Sequence, residues 1–292
     1  MLQQTMELPS ASSAGEKGCC SVPTFSVAEN ICLVKSNEWV NGEYKHLVLD
    51  ADDVALTALP GQFFHLQCPP GAQGEALLRR PMSLYRVNQS AREVEFLYKV
   101  QGRGTGGLAT LVSGDHLNAL GPVGKGFVLP ANTKHVLLLA RGVGLATLTP
   151  LAEFARAMGA SVTAVLSARS HDLIMSADYL RGVGASVRVV TDEDGTSAIS
   201  NVDALIRDEH SEQPFDFVAT CGSNRLLTLL QDVSRELGIT GQIAVEQHMG
   251  CALGACYACV RPFRKGPETE QLTYRRVCWD GPVFDLQETV SW

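Results

Sequence analysis

A change of rhythm at Lys134 restricts the fold more than any other feature of the sequence. Beyond it, short apolar runs recur at Val136–Ala140, Val162–Leu166, Val187–Val190, Phe215–Ala219 and Ile243–Val245. Runs of this length are strands, and a strand apolar on both faces must be covered on both. Helical stretches separate several of them. Leu148, Leu151, Phe154, Ala155 and Met158 fall on one helical face, and Leu226, Leu227, Leu230, Val233 and Leu237 form a stripe within Ser223–Leu237. Strands alternating with helices predict a parallel, doubly wound sheet. Ligands of such sheets sit at the carboxyl ends of the strands. The helix after the turn Gly142–Val143–Gly144 is therefore placed to meet a nucleotide.

The preceding segment, Phe25 to about Pro130, has another pattern. His46–Leu49, Gln62–Leu66 and Val94–Val100 read as short strands, separated by turns at Pro60–Gly61, Pro69–Gly71 and Gly121–Pro122. This predicts a small antiparallel β-barrel with no helix of useful length. Residues 1–24 carry no basic n-region and no apolar h-stretch, so they read as a flexible tail rather than a secretory signal. The pair Cys19–Cys20 reads as exposed thiols on that tail.

Bulk charge excludes some partners. With 24 basic and 31 acidic residues the chain is at −7, unlike a nucleic-acid binder, and no apolar run approaches membrane-helix length. The expected setting is cytoplasmic. Nine cysteines make an odd count, which does not suit a complete disulfide framework.

Four of them have a use. Cys251, Cys256, Cys259 and Cys278 give C-x4-C-x2-C-x18-C, the ligand spacing of a plant-type [2Fe–2S] cluster. Gly250, Ala252, Gly254, Ala255 and Ala258 are small where the backbone must wrap closely around inorganic sulfide. A structural zinc site is the alternative, although zinc modules usually pair two C-x2-C knuckles. A metal centre also suits residues 246–292, which look too small to build a core alone.

A second constellation lies in the barrel segment. Arg80–Pro81–Met82–Ser83 opens a strand, and Leu97–Tyr98–Lys99 precedes Gly102-x-Gly104–Thr105. A planar guanidinium and side-chain-free amides suit the diphosphate of a flavin, and the Ser hydroxyl suits its ring edge. The glycines read equally as a flexible turn. Cys221, ending an apolar run, reads either as a site residue or as a small core hydrophobe. Cys32 and Cys68 read as packing residues. His65, His171 and His248 show no ligand spacing. Arg261, Arg264, Lys265, Arg275 and Arg276 outnumber Glu268 and Glu270, leaving a docking face or a solvated loop open.

Across residues 25–290 the sequence resembles the electron-transfer subunit of class 1B dihydroorotate dehydrogenase, within the ferredoxin–NADP reductase superfamily. The residues that carry the likeness are Arg80–Ser83, Gly102–Thr105, Gly121–Phe127, Cys221–Gly222, the Cys251 loop and Val277–Phe284. The resemblance implies an α+β multi-domain chain, with an FAD-binding barrel (25–132), a nucleotide-binding α/β domain (133–245) and a [2Fe–2S] module (246–292). It implies FAD at Arg80, Pro81, Met82, Ser83, Leu97, Tyr98, Lys99, Gly104 and Thr105. Gly142, Gly144 and Cys221 fall where NAD(H) would meet the sheet. It further implies a hetero-oligomer, in which electrons pass between FAD, the cluster and a catalytic flavoprotein subunit. Two departures stand out. Ala140 and Arg141 replace glycines of a G-G-G-I-G-x-x-P turn, and Leu226 stands where C-G-x-x-x-M has methionine. These leave NAD(H) use open. An electron-transfer subunit of a different dehydrogenase without NAD(P), and a zinc-stapled interaction module, remain the alternatives.

Overall fold

A computed structural model describes residues 27–267 and 269–292. The calls on the tail, on Cys19–Cys20 and on Glu268 lie outside the described residues. The first half holds β1 (Ala28–Trp39), β2 (Tyr44–Asp50), α1 (Asp53–Leu56), β3 (Phe63–Leu66), β4 (Arg80–Ser83), β5 (Arg86–Asn88), β6 (Glu93–Lys99), α2 (Gly102–Leu108) and β7 (His116–Val123). Among the described residues its strands run β4-β3-β7-β1-β2-β6-β5, every ladder antiparallel. The sheet curls into a half-barrel rather than closing, with β4 and β5 at its ends. Leu47, Leu49, Phe64, Leu66, Phe96, Tyr98 and Leu117 fill its interior, where Cys32 and Cys68 are also buried. Burial pushes the Cys32 thiol up to about 12.

The longest strand, β1, is half polar. Its asparagines are buried but satisfied: Asn30 Nδ2 donates to the carbonyls of Ala119 and Gly121 at 2.9 and 3.1 Å. Asn37 Nδ2 donates to Leu108 O and Leu111 O at 2.9 and 3.0 Å, while Asn37 Oδ1 accepts from Tyr98. Two strands and a helix are stitched to β1 by bonds that alternation alone does not reveal.

The second sheet contains β8 (His135–Arg141), α3 (Gly144–Ala157), β9 (Ser161–Ala168), α4 (Ala177–Gly182), β10 (Ser186–Thr191), α5 (Ile199–Glu212), β11 (Phe217–Cys221), α6 (Asn224–Leu237) and β12 (Thr240–Ala244). The strand order β10-β9-β8-β11-β12 is parallel throughout, with the order reversing beside β8. Along β8, Val136, Leu138 and Ala140 face the core under α3, and Leu137 and Leu139 face the one under α5 and α6. Both faces are covered, as the continuous apolar runs require. β11 and β12 sit two or three residues from the apolar runs predicted for them. Phe154 and Met158 do not join the buried face of α3, at 41% and 39% exposed. Leu148, Leu151 and Ala155 do, and the helix also buries Leu145 and Ala152, because it packs against the half-barrel as well as the sheet.

The C-terminal segment supplies β13 (Val260–Arg264), β14 (Leu272–Arg276), α7 (Val277–Asp280) and β15 (Val283–Asp285). β15 adds an antiparallel edge to the α/β sheet through Ala244↔Val283. Phe263, Val277, Cys278, Phe284 and Leu286 enter the same core as α5 and α6. The segment therefore borrows a core, as its small apolar content demands.

Candidate functional site: a cleft bordered by paired thiols

A cleft of about 820 Å³ runs between the half-barrel, α3 and the cysteine loop. Arg80, Pro81, Met82 and Ser83 of β4 form one wall, with Leu97, Tyr98 and Lys99 of β6 beside them and Thr105 beyond. Eight of the nine residues expected at FAD thus share one cavity. The ninth, Gly104, lies against Arg80: a Cβ there would stand 2.5 Å from Arg80 Nε. The expected Gly-rich turn is instead the start of α2. Thr105 Oγ1 accepts from Gln101 N at 2.7 Å and closes its first turn. Glycine content hid this helix, since glycine is a weak helix former.

The opposite wall comes from Val143, Ala146 and Thr147 of the α3 region and from Val245 to Gly250, with Ala258 and Pro282. Sequence reasoning assigned none of these to the flavin site, although Val143, His248, Gly250 and Ala258 were read there in other roles. Thr147 hydrogen bonds to Cys221, Sγ to Oγ1 at 3.4 Å, so that Cys221 lies one residue behind the cleft wall. Burial holds that thiol far above its ordinary range, and the Glu246 carboxylate adds to it. Glu246 opens into the cleft, where loss of solvation raises its own pKa. Gly144 allows the close approach of α3 to β11, since a Cβ would stand 2.8 Å from Cys221 O. Gly142 does not reach this cleft; it lines a smaller pocket with Arg141.

The loop after β12 turns sharply, with positive φ at Ala252, Gly254 and Tyr257. It brings the four cysteines together as two pairs. Cys256 bonds to Cys251 through its side chain, and the amides of Leu253 and Cys256 donate to Cys251 Sγ at 3.4 Å each. Cys259 and Cys278 lie 3.3 Å apart, sulfur to sulfur, and the Cys278 amide donates to Cys259 Sγ. Burial raises the Cys251 thiol, but the amides of Cys256 and Leu253 outweigh it and bring the pKa down to about 7. Burial and the neighbouring Cys259 push Cys278 up to about 12. Two thiol pairs with amides aimed at sulfur suit the paired ligands of a binuclear cluster. Met249, Gly250 and Ala258 of this loop are also cleft wall, so the thiols and the cavity are neighbours.

Comparison with known proteins places this arrangement. Residues 246–290 match the iron-sulfur cluster binding domain of dihydroorotate dehydrogenase B. The dihydroorotate dehydrogenase B (NAD(+)) electron transfer subunit of Bacillus cereus (strain B4264) is 32% identical over 264 residues, covering 90% of this chain and 98% of that one. The chain belongs to this family of electron transfer subunits. The Desulforamulus reducens subunit is 31% identical over 84% of this chain and 92% of its own length. Among solved structures, an NADH-dependent reduced ferredoxin-NADP oxidoreductase superposes with TM-score 0.72 at 24% identity, over 89% of each chain. Ferredoxin-NADP+ reductase from Plasmodium falciparum gives 0.56 at 14% identity, over 75% of this chain and 96% of that one. These likenesses describe the fold of the family's half-barrel and α/β sheet. No helix among the described residues is long and apolar enough to cross a membrane.

Proposed function

We propose that the chain is the electron-transfer subunit of a dihydroorotate dehydrogenase of the B type, linking NAD(H) to a catalytic flavoprotein partner. The observation that carries this reading is the shared wall: Gly250 and Ala258 of the cysteine loop border the cleft that Arg80 to Ser83 and Leu97 to Lys99 line. A cleft of this volume suits a large cofactor, and FAD held there would lie next to a [2Fe–2S] cluster on Cys251, Cys256, Cys259 and Cys278. When bound, FAD exchanges electrons in pairs with a hydride donor, and the cluster passes them singly. The proposed functional units are an FAD-binding unit (25–132), a nucleotide-binding unit (133–245) and a cluster module (246–292).

The chain's own residues bind, orient and exclude water. Arg80 presents a guanidinium to the diphosphate, with the amide end of α2 beside it. Ser83 and Lys99 line the ring side of the cleft from β4 and β6, and Tyr98 ties β6 to β1 behind them through its hydroxyl on Asn37. Thr147, Cys221 and Gly144 shape the side from which a nicotinamide approaches. The Leu253 and Cys256 amides donate to Cys251 Sγ and would stabilise its thiolate as a cluster ligand. The unpaired cysteines of the described residues suit a reducing cytoplasm.

Three measurements on the purified chain and its partner test the reading. Iron and acid-labile sulfide should be present in equal amounts, and zinc without them would refute the cluster. Anaerobic NADH or NADPH should bleach the flavin absorbance. Cys256→Ser should stop electron passage to the partner while the flavin stays bound. Loss of FAD with electron transfer intact would overturn the assignment of that loop.

A further inference from the structure

The arginines between Cys259 and Cys278 do not form one solvated group. Arg264 Nη1 donates to Gln287 O at 3.1 Å, Arg275 pairs with Glu288 at 2.8 Å, and Arg261 lies over the Trp292 ring at 4.3 Å. These three turn to residues 287–292. Arg276 turns the other way, to the cysteines. It pairs in the β13–β14 ladder with Val260, next to Cys259, and stands two residues before Cys278. Its Nη1 donates to Gly254 O at 3.1 Å, in the turn between Cys251 and Cys256, and its guanidinium stands 5.4 Å from the Tyr257 ring centroid. Asp280 Oδ2 accepts from Arg276 N at 2.8 Å and from Nε at 3.2 Å.

One residue thus joins both chain segments that carry the thiols. The contact at Gly254 is close: with φ +75, a Cβ there would stand 3.0 Å from Trp279 Cβ and 3.3 Å from Arg276 Nη1. The loop is held against α7 at that point, which fixes where Cys251 and Cys256 stand relative to Cys278. Charge acts alongside shape. Thiolates and sulfides around two iron ions carry a net negative charge, and each added electron deepens it. The charge of Cys278 already acts on Arg276. Asp280 offsets the guanidinium only in part, because Lys125 also acts on that carboxylate. Both side chains of the pair are half-buried, so solvent screens them less than a fully exposed pair. A fixed cation in such surroundings favours the more negative, reduced form of a cluster, and nearby charge is one of the levers on its potential.

We propose that Arg276 is a positioning residue for the cluster that also raises its reduction potential, with Asp280 setting the opposite bias. This rests on the reading that the four cysteines hold a [2Fe–2S] cluster. The step it governs moves one electron from a reduced flavin and turns one ferric ion ferrous. No bond to iron or sulfur forms or breaks, and the flavin loses the electron that the cluster gains.

The test is potentiometric titration of the full chain, loaded with FAD and cluster and bound to its flavoprotein partner. Dithionite is the reductant, and electron paramagnetic resonance reads the reduced cluster. Arg276→Gln should shift the one-electron equilibrium towards the oxidised form about tenfold, which lowers the midpoint by about 59 mV. Asp280→Asn keeps an acceptor for the Arg276 amide but removes the negative charge, so its midpoint should rise. Arg276→Lys keeps the cation but not the fork that reaches Gly254 and Asp280 together. Its midpoint should stay near that of the wild type, while a chelator strips its cluster faster. A merely structural role would speed cluster loss in both Arg276 variants and leave the midpoint of the loaded fraction unmoved, and that result overturns the proposal. A midpoint for Asp280→Asn at or below the wild-type value does so as well. Should Arg276→Gln load no cluster, the Asp280→Asn and Arg276→Lys midpoints decide on the same terms. A wild type without an iron–sulfur signal on reduction refutes the cluster itself, whereas a wild-type signal with unmoved variants refutes this role alone.

Discussion

Gly104→Ala separates the stability of the half-barrel from its hold on flavin. An added Cβ would stand 2.5, 2.8 and 2.9 Å from Nε, Cζ and Cγ of Arg80. Gly104 is not among the positive-φ glycines, so alanine fits its backbone. Within a helix alanine gains roughly 1 kcal/mol over glycine. The obstacle is a flexible side chain, so Arg80 moves and loses its bonds to Leu78 O at 2.6 Å and Arg79 O at 3.3 Å. Such bonds are each worth roughly 0.5–1.5 kcal/mol net, so the gain offsets part or all of the loss. Stability from urea midpoints should fall by no more than about 2 kcal/mol. FAD has no such compensation. A charged contact is worth roughly 1.5–3 kcal/mol, and about 1.4 kcal/mol is a tenfold change, so the FAD dissociation constant should rise about tenfold to a hundredfold. Fluorescence titration of the deflavinated chain measures it. The double variant with Arg80→Ala should lose little beyond Arg80→Ala alone, because both act through one guanidinium. Unchanged FAD affinity, or fully additive losses, would refute the reasoning.

Two further outcomes are expected. Burial, aided by the charge of Arg79, lowers the His65 pKa from 6.5 to about 4. Between those values the unfolded chain binds a proton that the folded one refuses, so stability should fall as pH drops through the window, by about 2 kcal/mol from pH 7 to pH 5. His65→Gln should flatten that slope in urea midpoints, and an unaltered slope would exclude His65 as its source. Phe263 is fully buried and stacks on Phe284 with ring centroids 4.1 Å apart. Phe263→Ala should cost about 3–5 kcal/mol and shift the unfolding of the whole α/β sheet. A separate early transition limited to the cysteine loop would show that the segment does not share that core.

Legibility from sequence follows how locally each feature is encoded. The parallel sheet was readable because each buried strand is apolar in itself, and the four cysteines because their spacing lies along the chain. β1 was not readable: Asn30 and Asn37 look like surface residues until their carbonyl partners arrive from β7 and from the region of α2. α2 was read as a turn because glycine is a weak helix former, although Gly104 is required by its contact with Arg80 and Gly107 by its contact with Pro69. The position of Arg141 was legible as a departure from a glycine pattern. Its partners, Ser167 and Asp192, are joined to it only by the sheet. Glu246 gave the faintest signal, a charge directly after the apolar run Ile243–Val245.

The pairing of Ala244 with Val283 has an architectural consequence. The chain leaves the sheet at one rung and returns on the adjacent rung, so residues 245–282 form a detour whose two ends are stapled side by side. Such a detour has no single hinge about which to swing, and tension on either end is borne by the ladder rather than by the loop. It is also a natural splice point. A short hairpin turn joining those two strands would excise the whole thiol-bearing excursion and keep the β12–β15 pairing, but it would also remove Phe263, Val277 and Cys278 from the shared core.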